Sequence, residues 1–505
     1  MKILVVFLYA LMVLSLGYVG MKKTKTVNDF FLGDRALGPW VSAFAYGTSY
    51  FSAVLFIGYA GKVGWGFGLS ALWIVVGNAF VGSYLAWRVL GLRTRVLTAR
   101  LNALTMPEFF EARYDSKAFK IASGLIIFVF MVPYSASVYM GLSYLFEQVF
   151  NIPYLAALIL MALLTGIYLT MGGYLAIALA DLVQGVIMII GVILLVFFVI
   201  NAPQIGGISP GIERLANINP QLVAPVGPPG VIPLVALVVL TSLGSWGLPQ
   251  MVQKFYSIKS ESDIPKATVM ATIFAILMTF GAYFTGSLSR LFFPEGLPLV
   301  NGLANYDLII PKIITMALPE IVAMVILLLV LSASMSTLAS LVLVSSSSIA
   351  IDLIKGGLFP YIGKDKLVLL MRIFCVCFII FSLFLAITPT PILSLMAISW
   401  GTLAGSFLAP YFYGLFWRGT TKTGAFAGML TGLSISVIFS FYYGVNSPHI
   451  PLIGSIAIVV PLIVVPIVSL FTKGYSEEHI SKVFGTKQHK FSNTTDGEVV
   501  TNDLG

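Results

Sequence analysis

The sequence predicts an all-α polytopic membrane protein of about 13 transmembrane helices, and three observations carry that prediction. Of the 505 residues, 58% are hydrophobic and 10% are charged, against roughly 25% charged in a soluble globule. The apolar residues fall in successive runs of about 20, each long enough to cross a hydrocarbon core of roughly 30 Å. These runs are continuous rather than alternating, which indicates helices and not a barrel. The net charge of +9 sits in short loops between runs, so it reports topology rather than a nucleic-acid partner. Cys375 and Cys377 form a lone C-x-C with no second pair and no nearby histidine, which argues against a zinc or disulfide site. The spans hold no cluster of His, Asp or Glu for acid–base work, so an enzyme is not expected.

The first run, about residues 1–20, is read as a span rather than a cleaved leader, because it lacks an A-x-A site and Lys22, Lys23, Lys25 and Arg35 follow it. By the positive-inside rule this loop is cytoplasmic and the N-terminus lies outside. In the second span, about 39–60, Gly47 with Thr48, Ser49 and Ser52 sets small and polar residues at mid-depth, predicting an unwound turn with free carbonyls. The third, about 69–87, holds Asn78 near its centre. Arg88, Arg93, Arg95, Arg100, Arg113, Lys117 and Lys120 then give the strongest inside signal of the chain. The fourth span, about 121–150, carries Pro133 and Tyr134 at depth, where the proline predicts a kink. The fifth, about 153–171, ends at Gly172-Gly173. The sixth, about 176–201, places Asp181 about one turn inside, which is costly unless the carboxylate is paired, lines water or holds an ion. Residues 202–230 are rich in Pro and Gly and read as an external loop without compulsory structure.

The seventh span, about 231–255, contains a second break, TSLGSWGLPQ, and Lys254, Lys259 and Lys266 are read as marking the next inner loop. Spans eight to thirteen follow at about 267–293, 318–351, 367–387, 392–416, 424–443 and 451–471. In the ninth, Ala333, Ser336, Thr337 and Ser340 recur at i, i+3, i+4 and i+7, so one helix face presents three hydroxyls inside lipid. Two breaks five spans apart predict two five-helix repeats of inverted topology, 39–201 and 231–417, with a site between the breaks. Residues 1–38 precede them, 418–472 add two accessory helices, and 473–505 read as a disordered cytoplasmic tail. Asn493-Thr494-Thr495 matches a glycosylation acceptor, but this topology puts it on the inner side.

Five stretches resemble the sodium:solute symporter family: GTSYFSAVLFIG (Gly47 to Gly58), MPEFFEARYDSK (Met106 to Lys117), GGYLAIALADLVQ (Gly172 to Gln184), LPQMVQKF (Leu248 to Phe255) and SASMSTLAS (Ser332 to Ser340). The resemblance covers nearly the whole chain and implies a leucine-transporter-like architecture. One departure is Leu169, where the family often has Thr three residues before Gly-Gly. By position, the family's shared sodium site implies backbone carbonyls of Thr48, Phe51 and Ala333 with hydroxyls of Ser336 and Thr337. A further sodium site of sialic-acid-type members implies Asp181 with the residues at Ala339 and Ser340, one hydroxyl short.

For the solute, Tyr50, Ser52, Tyr134, Ser245 and Trp246 are the expected contacts, with Ala53, Asn78, Thr241 and Gln250 beside them. Tyr50 through Ala53 resembles the pantothenate and monocarboxylate branches. Thr241 and Ser245 stand where the proline branch has aromatics, while Tyr134 matches a substrate-site tyrosine of that branch. No Lys or Arg is read at mid-depth, so a carboxylate would rest on half-helix N-termini, hydroxyls and sodium. The expectation is a plasma-membrane symporter that couples inward Na+ flux to uptake of a small organic solute, such as a monocarboxylate, a pantothenate-like compound or proline. Lipid and the two transported species are its partners, with no nucleic acid and no obligatory protein partner. Proton coupling through Asp181, and a non-transporting sensor, are the alternatives.

Overall fold

The computed structural model describes residues 2–23, 31–171, 174–300, 302–388 and 390–485. Gly172-Gly173 and the tail beyond residue 485, with its acceptor at Asn493, lie outside the described residues, as does Lys25. Apolar side chains such as Phe7, Val129, Leu163, Phe384 and Phe441 stand exposed on the outer helices, as a lipid-facing surface requires.

Helix α1, Lys2–Lys23, lies on the periphery: 17% of its apolar window is buried. Helix α2, Pro39–Tyr50, ends at Phe51, whose φ of −114° and ψ of 103° are extended. The chain resumes through a π-helical stretch, Val54–Tyr59, into α3, Ala60–Phe67. Gly68, at φ 60° and ψ −142°, ends α3, because only glycine adopts that conformation freely. After it come α4, Leu72–Val76, a π-helical stretch, Gly77–Gly91, and α5, Leu92–Arg100. Helix α6, Met106–Tyr114, is capped by Thr105, which accepts from the Glu108 amide at 3.1 Å, while the Glu108 carboxylate reaches back to accept from the Leu104 amide at 2.8 Å.

Helix α7, Lys117–Phe150, carries Pro133 without ending there. It leads to α8, Tyr154–Met171, and α9, Tyr174–Ile200. The segment read as an external loop contains α10, Ile208–Ile218, and a 3-10 turn, Pro220–Val223. The Asn219 side chain caps that turn, and Leu215 and Leu222 are buried beneath it.

The second break lies between α11, Val231–Val238, which continues through Val239–Leu243 and Gly244–Trp246, and α12, Pro249–Ser257. The two parts are bent by 41°. Leu248, extended at ψ 122°, precedes a proline that opens α12. Helix α13, Ile264–Ser287, is followed by a short hairpin, β1 Leu299–Val300 against β2 Leu303–Ala304, and by α14, Ile309–Ala317. Then come α15, Glu320–Ser347, with a π-helical extension to Leu358, α16, Lys364–Ile387, and α17, Ile392–Phe416. Helices α18, Lys422–Tyr443, and α19, Ile450–Leu470, pack on each other and on α17, and α20, Glu477–Phe484, forms in the segment expected to be disordered.

Burial identifies the centre: 83% of the apolar window of α15 and 94% of that of α17 are inside the protein. By length and apolarity alone, ten helices among the described residues suffice to cross a membrane, or eleven with the bent pair. The sequence count of 13 differs at two places. The run Val54–Arg100 counts once although Gly68 breaks it, and α8, Tyr154–Met171, which at 18 residues has the length of a short span, is not among the ten.

Candidate functional site

The break after α2 leaves the last carbonyls of that helix without intrahelical partners. Two of them are met by α15: the Thr337 hydroxyl donates to Thr48 O at 3.2 Å and lies 3.5 Å from Ser49 O. One residue earlier, the Ser336 hydroxyl is 2.7 Å from Thr48 Oγ1 and 2.6 Å from Asp181 Oδ1 on α9. Phe51, at the break, and Ala333, one turn before Thr337, are buried on the same two elements. Thr48, Ser336, Thr337 and Asp181 therefore meet at one junction of three helices, every contact an oxygen, the donor type a hard cation takes.

Beside this junction lies a group that reading along the chain misplaced. Lys254 is fully buried on α12 rather than in an inner loop, because the helix runs on to Ser257 and folds the lysine inward. Its ammonium donates to Ser340 Oγ at 3.0 Å, lies 3.9 Å from Asp181 Oδ2 and stands 5.0 Å over the Tyr174 ring. Ser340 Oγ is in turn 2.9 Å from Ser49 Oγ. The expectation that no basic side chain sits deep in the bundle is thus corrected.

Between the two breaks lies a small cavity of about 20 Å³, whose lining includes Tyr50, Ser52, Asn78, Thr241, Tyr283 and Trp400, with Phe51, Tyr59 and Met396. It has room for a water, not for an organic solute. The Tyr50 hydroxyl donates to Thr241 O at 2.6 Å and lies 3.3 Å from Asn78 Oδ1, which also accepts from Ser242 at 2.9 Å. Tyr50 stacks on Phe51 at 4.3 Å and faces Trp400 at 5.9 Å, and Tyr134 meets Trp400 edge-on from behind. The Tyr59 hydroxyl and Trp400 Nε1, both at the wall, and the Tyr134 hydroxyl make no well-formed hydrogen bond among the described residues.

Five expected solute contacts do not line this cavity, Tyr134 beside Trp400 being one of them. Trp246 donates its indole N–H to Val81 O at 2.9 Å and packs near Phe412; Ser245 bonds to the carbonyls of Gly82 and Ser242. The helical turn Gly244–Trp246 rotates both toward the stretch Gly77–Gly91. Ala53 packs against the position of Gly141, and Gln250 is buried away from the cavity with both amide atoms unpaired among the described residues. Tyr59, Tyr283, Met396 and Trp400 were not singled out from the sequence. The aromatic residues among them carried no local signal that separates a cavity wall from ordinary core.

A second, larger cavity of about 420 Å³ lies at the end of the bundle that carries residues 225–233 and 447–452. Lys62, Trp65, Arg290, Tyr306 and His449 line it, together with the buried Leu237 and Leu393. Those two residues are one helical turn from Thr241 and Met396 of the small cavity, so the two spaces lie in adjacent layers of the bundle. The opposite end is tied shut. Arg35 donates to Thr98, Ala103 O and Tyr256 O, and Leu37 pairs with Ser257 and Lys259 through their backbones. Thr105 donates to Asp352 at 2.7 Å, and Lys120 bridges Glu111 at 2.8 Å.

The chain is similar to known proteins in sequence and in fold. The chain is 30% identical over 449 residues to "Sodium/proline symporter 2" of Staphylococcus saprophyticus, covering 86% of this chain and 85% of that one. It is 30% identical over 444 residues to a sodium/proline symporter of Staphylococcus aureus, with the same coverage. Among solved structures, a Na+-coupled sialic acid symporter in a substrate-bound outward-open state superposes with a TM-score of 0.74 at 19% identity, over 94% of this chain and 99% of that one. A nucleobase-cation-symport-1 family transporter, closed around bromovinylhydantoin, gives 0.52 at 15% identity over 90% and 97%. The fold is accordingly leucine-transporter-like, with its inverted five-helix repeat. The model of the sodium:solute symporter family matches residues 30–432, and with four-fifths of the chain so matched, this protein belongs to the sodium:solute symporter family, whose work is sodium-coupled solute transport across a membrane.

Proposed function

We propose that this protein imports a small amino acid or monocarboxylate, with proline the first candidate, and that its sodium binds where the hydroxyls of Ser336 and Thr337 meet the end of α2. The observation that carries the sodium site is the 3.2 Å contact from Thr337 to Thr48 O, made at a carbonyl that only the break sets free. The carbonyls of Thr48, Phe51 and Ala333 and the hydroxyls of Ser336 and Thr337 supply hard oxygen donors from two helices, and Asp181 holds the Ser336 hydroxyl in place. A sodium ion there would hold the broken end of α2 against α15, and so keep Tyr50 and Ser52 facing the solute. Inward release of sodium would then loosen the solute, since each ligand's affinity depends on the other.

The solute class follows from the wall chemistry. Aromatic faces of Tyr50, Phe51 and Trp400 suit a compact apolar ring or chain, and the unpaired Tyr59 hydroxyl and Trp400 indole suit one or two polar groups. A polyhydroxy sugar would want more amides and acids than Asn78 provides. The staphylococcal relatives named for proline add weight to proline, although Thr241 and Ser245 stand where the proline branch has aromatics. The basic residues near Arg35 and between Arg88 and Lys120 support an inner face at the tied end, with the 420 Å³ cavity facing outward across the plasma membrane.

Proteoliposomes with an inward Na+ gradient and a panel of proline, other amino acids, pyruvate, lactate and pantothenate test this. Concentrative uptake of one compound, abolished in Ser336→Ala/Thr337→Ala, is the expected result. The buried carboxylate of Asp181 favours proton coupling as the second reading, and uptake that follows a proton gradient without sodium would select it.

A further inference from the structure

The surroundings of Lys254 reach beyond the single sodium site, and the inference rests on the sodium-coupled reading above. Asp181 is fully buried and its two oxygens face different partners. Oδ1 accepts from Ser336 at 2.6 Å, on the side of the α2 break, whereas Oδ2 makes no hydrogen bond among the described residues and has the Lys254 ammonium 3.9 Å away. That ammonium donates to Ser340 Oγ at 3.0 Å, and Ser340 lies 2.9 Å from Ser49 Oγ. An ammonium and a sodium ion carry the same charge and seek the same carboxylate and hydroxyl oxygens, so one space does not hold both.

We propose that the Lys254 ammonium takes the place of a second sodium ion: it is a cation supplied by the chain itself, and the carrier moves one sodium per solute. Asp181 and Ser340, the residues a second ion would need, are already engaged by it. The charge balance explains why a lysine is tolerated there. A carboxylate in the low-dielectric interior requires a counter-charge, and a tethered ammonium meets that need without drawing an ion from solution. The ring of Tyr174 covers the ammonium from a further side at 5.0 Å, and its hydroxyl is held by Ser257 at 2.9 Å, so the cation is enclosed. Lys254 is thus a positioning residue: it touches neither solute nor the transported sodium, but fixes the carboxylate that holds Ser336.

The test uses the purified full-length protein with radioactive sodium alone, counted per molecule, together with the sodium-to-solute ratio from the reversal potential of transport in proteoliposomes. Wild type binds one sodium. Lys254→Met leaves Asp181, Ser340 and Ser49 as an open oxygen set and binds two, with the transport ratio rising from one to two; Lys254→Arg keeps the charge and stays at one. Two sodium ions in wild type, or one in a monodisperse Lys254→Met, overturns the proposal. Where Lys254→Met does not fold, Lys254→Gln is read in its place, with the same two outcomes. Failure of the sodium reading itself looks different: wild type then binds no sodium and transports solute without it.

Discussion

Ser336 is the residue on which most converges, since its hydroxyl lies within 2.7 Å of both Thr48 Oγ1 and Asp181 Oδ1. Alanine there removes a hydrogen bond to a buried carboxylate, worth roughly 1.5–3 kcal/mol. Ser336→Ala is therefore expected to raise the sodium concentration for half-maximal uptake by about tenfold or more, whereas Thr337→Ser, which keeps its hydroxyl, stays near wild type; sodium titration of uptake reads both. A sodium dependence unchanged in Ser336→Ala would remove this residue from the ion path. Tyr50 makes a different kind of link, because its hydroxyl on the first broken helix donates to Thr241 O on the second. In Tyr50→Phe that tie is lost at about 1 kcal/mol, and solute affinity is expected to fall with little change in maximal rate. Direct binding of the transported solute distinguishes this from misfolding. The hydroxyl face of α15 was legible from i, i+3, i+4 spacing alone, and Asp181 from its improbable place in an apolar run. Lys254 was not, because its partner Ser340 lies 86 residues away and no local pattern joins them.

At the scale of elements, the breaks and the close crossings do the structural work. Each break was legible, because glycine, proline and small polar residues interrupt apolar runs, and unwound backbone in a membrane protein has to line protein or water. What the pattern did not disclose is which way each break turns the flanking side chains. The turn Gly244–Trp246 carries Ser245 and Trp246 onto the third helical run, away from the cavity. Helices α3 and α13 cross so closely that a Cβ on Gly64 would overlap the backbone of Gly286, and one on Gly286 would overlap that of Ala60. Gly64→Ala and Gly286→Ala are expected to lower the melting temperature in detergent through backbone displacement costing about 1–3 kcal/mol or more. Gly66→Ala, with nothing within 4 Å of the added carbon, is not. Equal melting of all three would mean that the crossing yields without cost.

Taken whole, the molecule is tied at one end and hollow at the other. Four bonds from Arg35 span three segments distant in sequence, while the 420 Å³ cavity ends one helical turn short of the inner one. Arg35→Ala is expected to expose a cysteine placed at Ser52 to reagents from the tied side, and to leave labelling from the hollow side unchanged. Labelling equal to that of the parent cysteine protein would show that the Arg35 bonds do not hold that end. The sequence-based count of 13 spans and the helix count differ partly for a related reason: hydropathy reports length along the chain, whereas the break at Gly68 is a matter of backbone conformation.

The enclosed ammonium of Lys254 has a consequence for how steeply solute is accumulated. A cation attached to the backbone never leaves, so it contributes nothing to the driving force. With a single sodium, a tenfold gradient and 100 mV together supply about 3.7 kcal/mol, enough to concentrate an uncharged solute about 500-fold. A second transported ion would square that ceiling to about 10⁵-fold, and would demand twice the sodium for each molecule gathered. On this reading the lysine sets the machine in a low gear, thrifty with sodium and suited to a solute that is scarce but not vanishingly so.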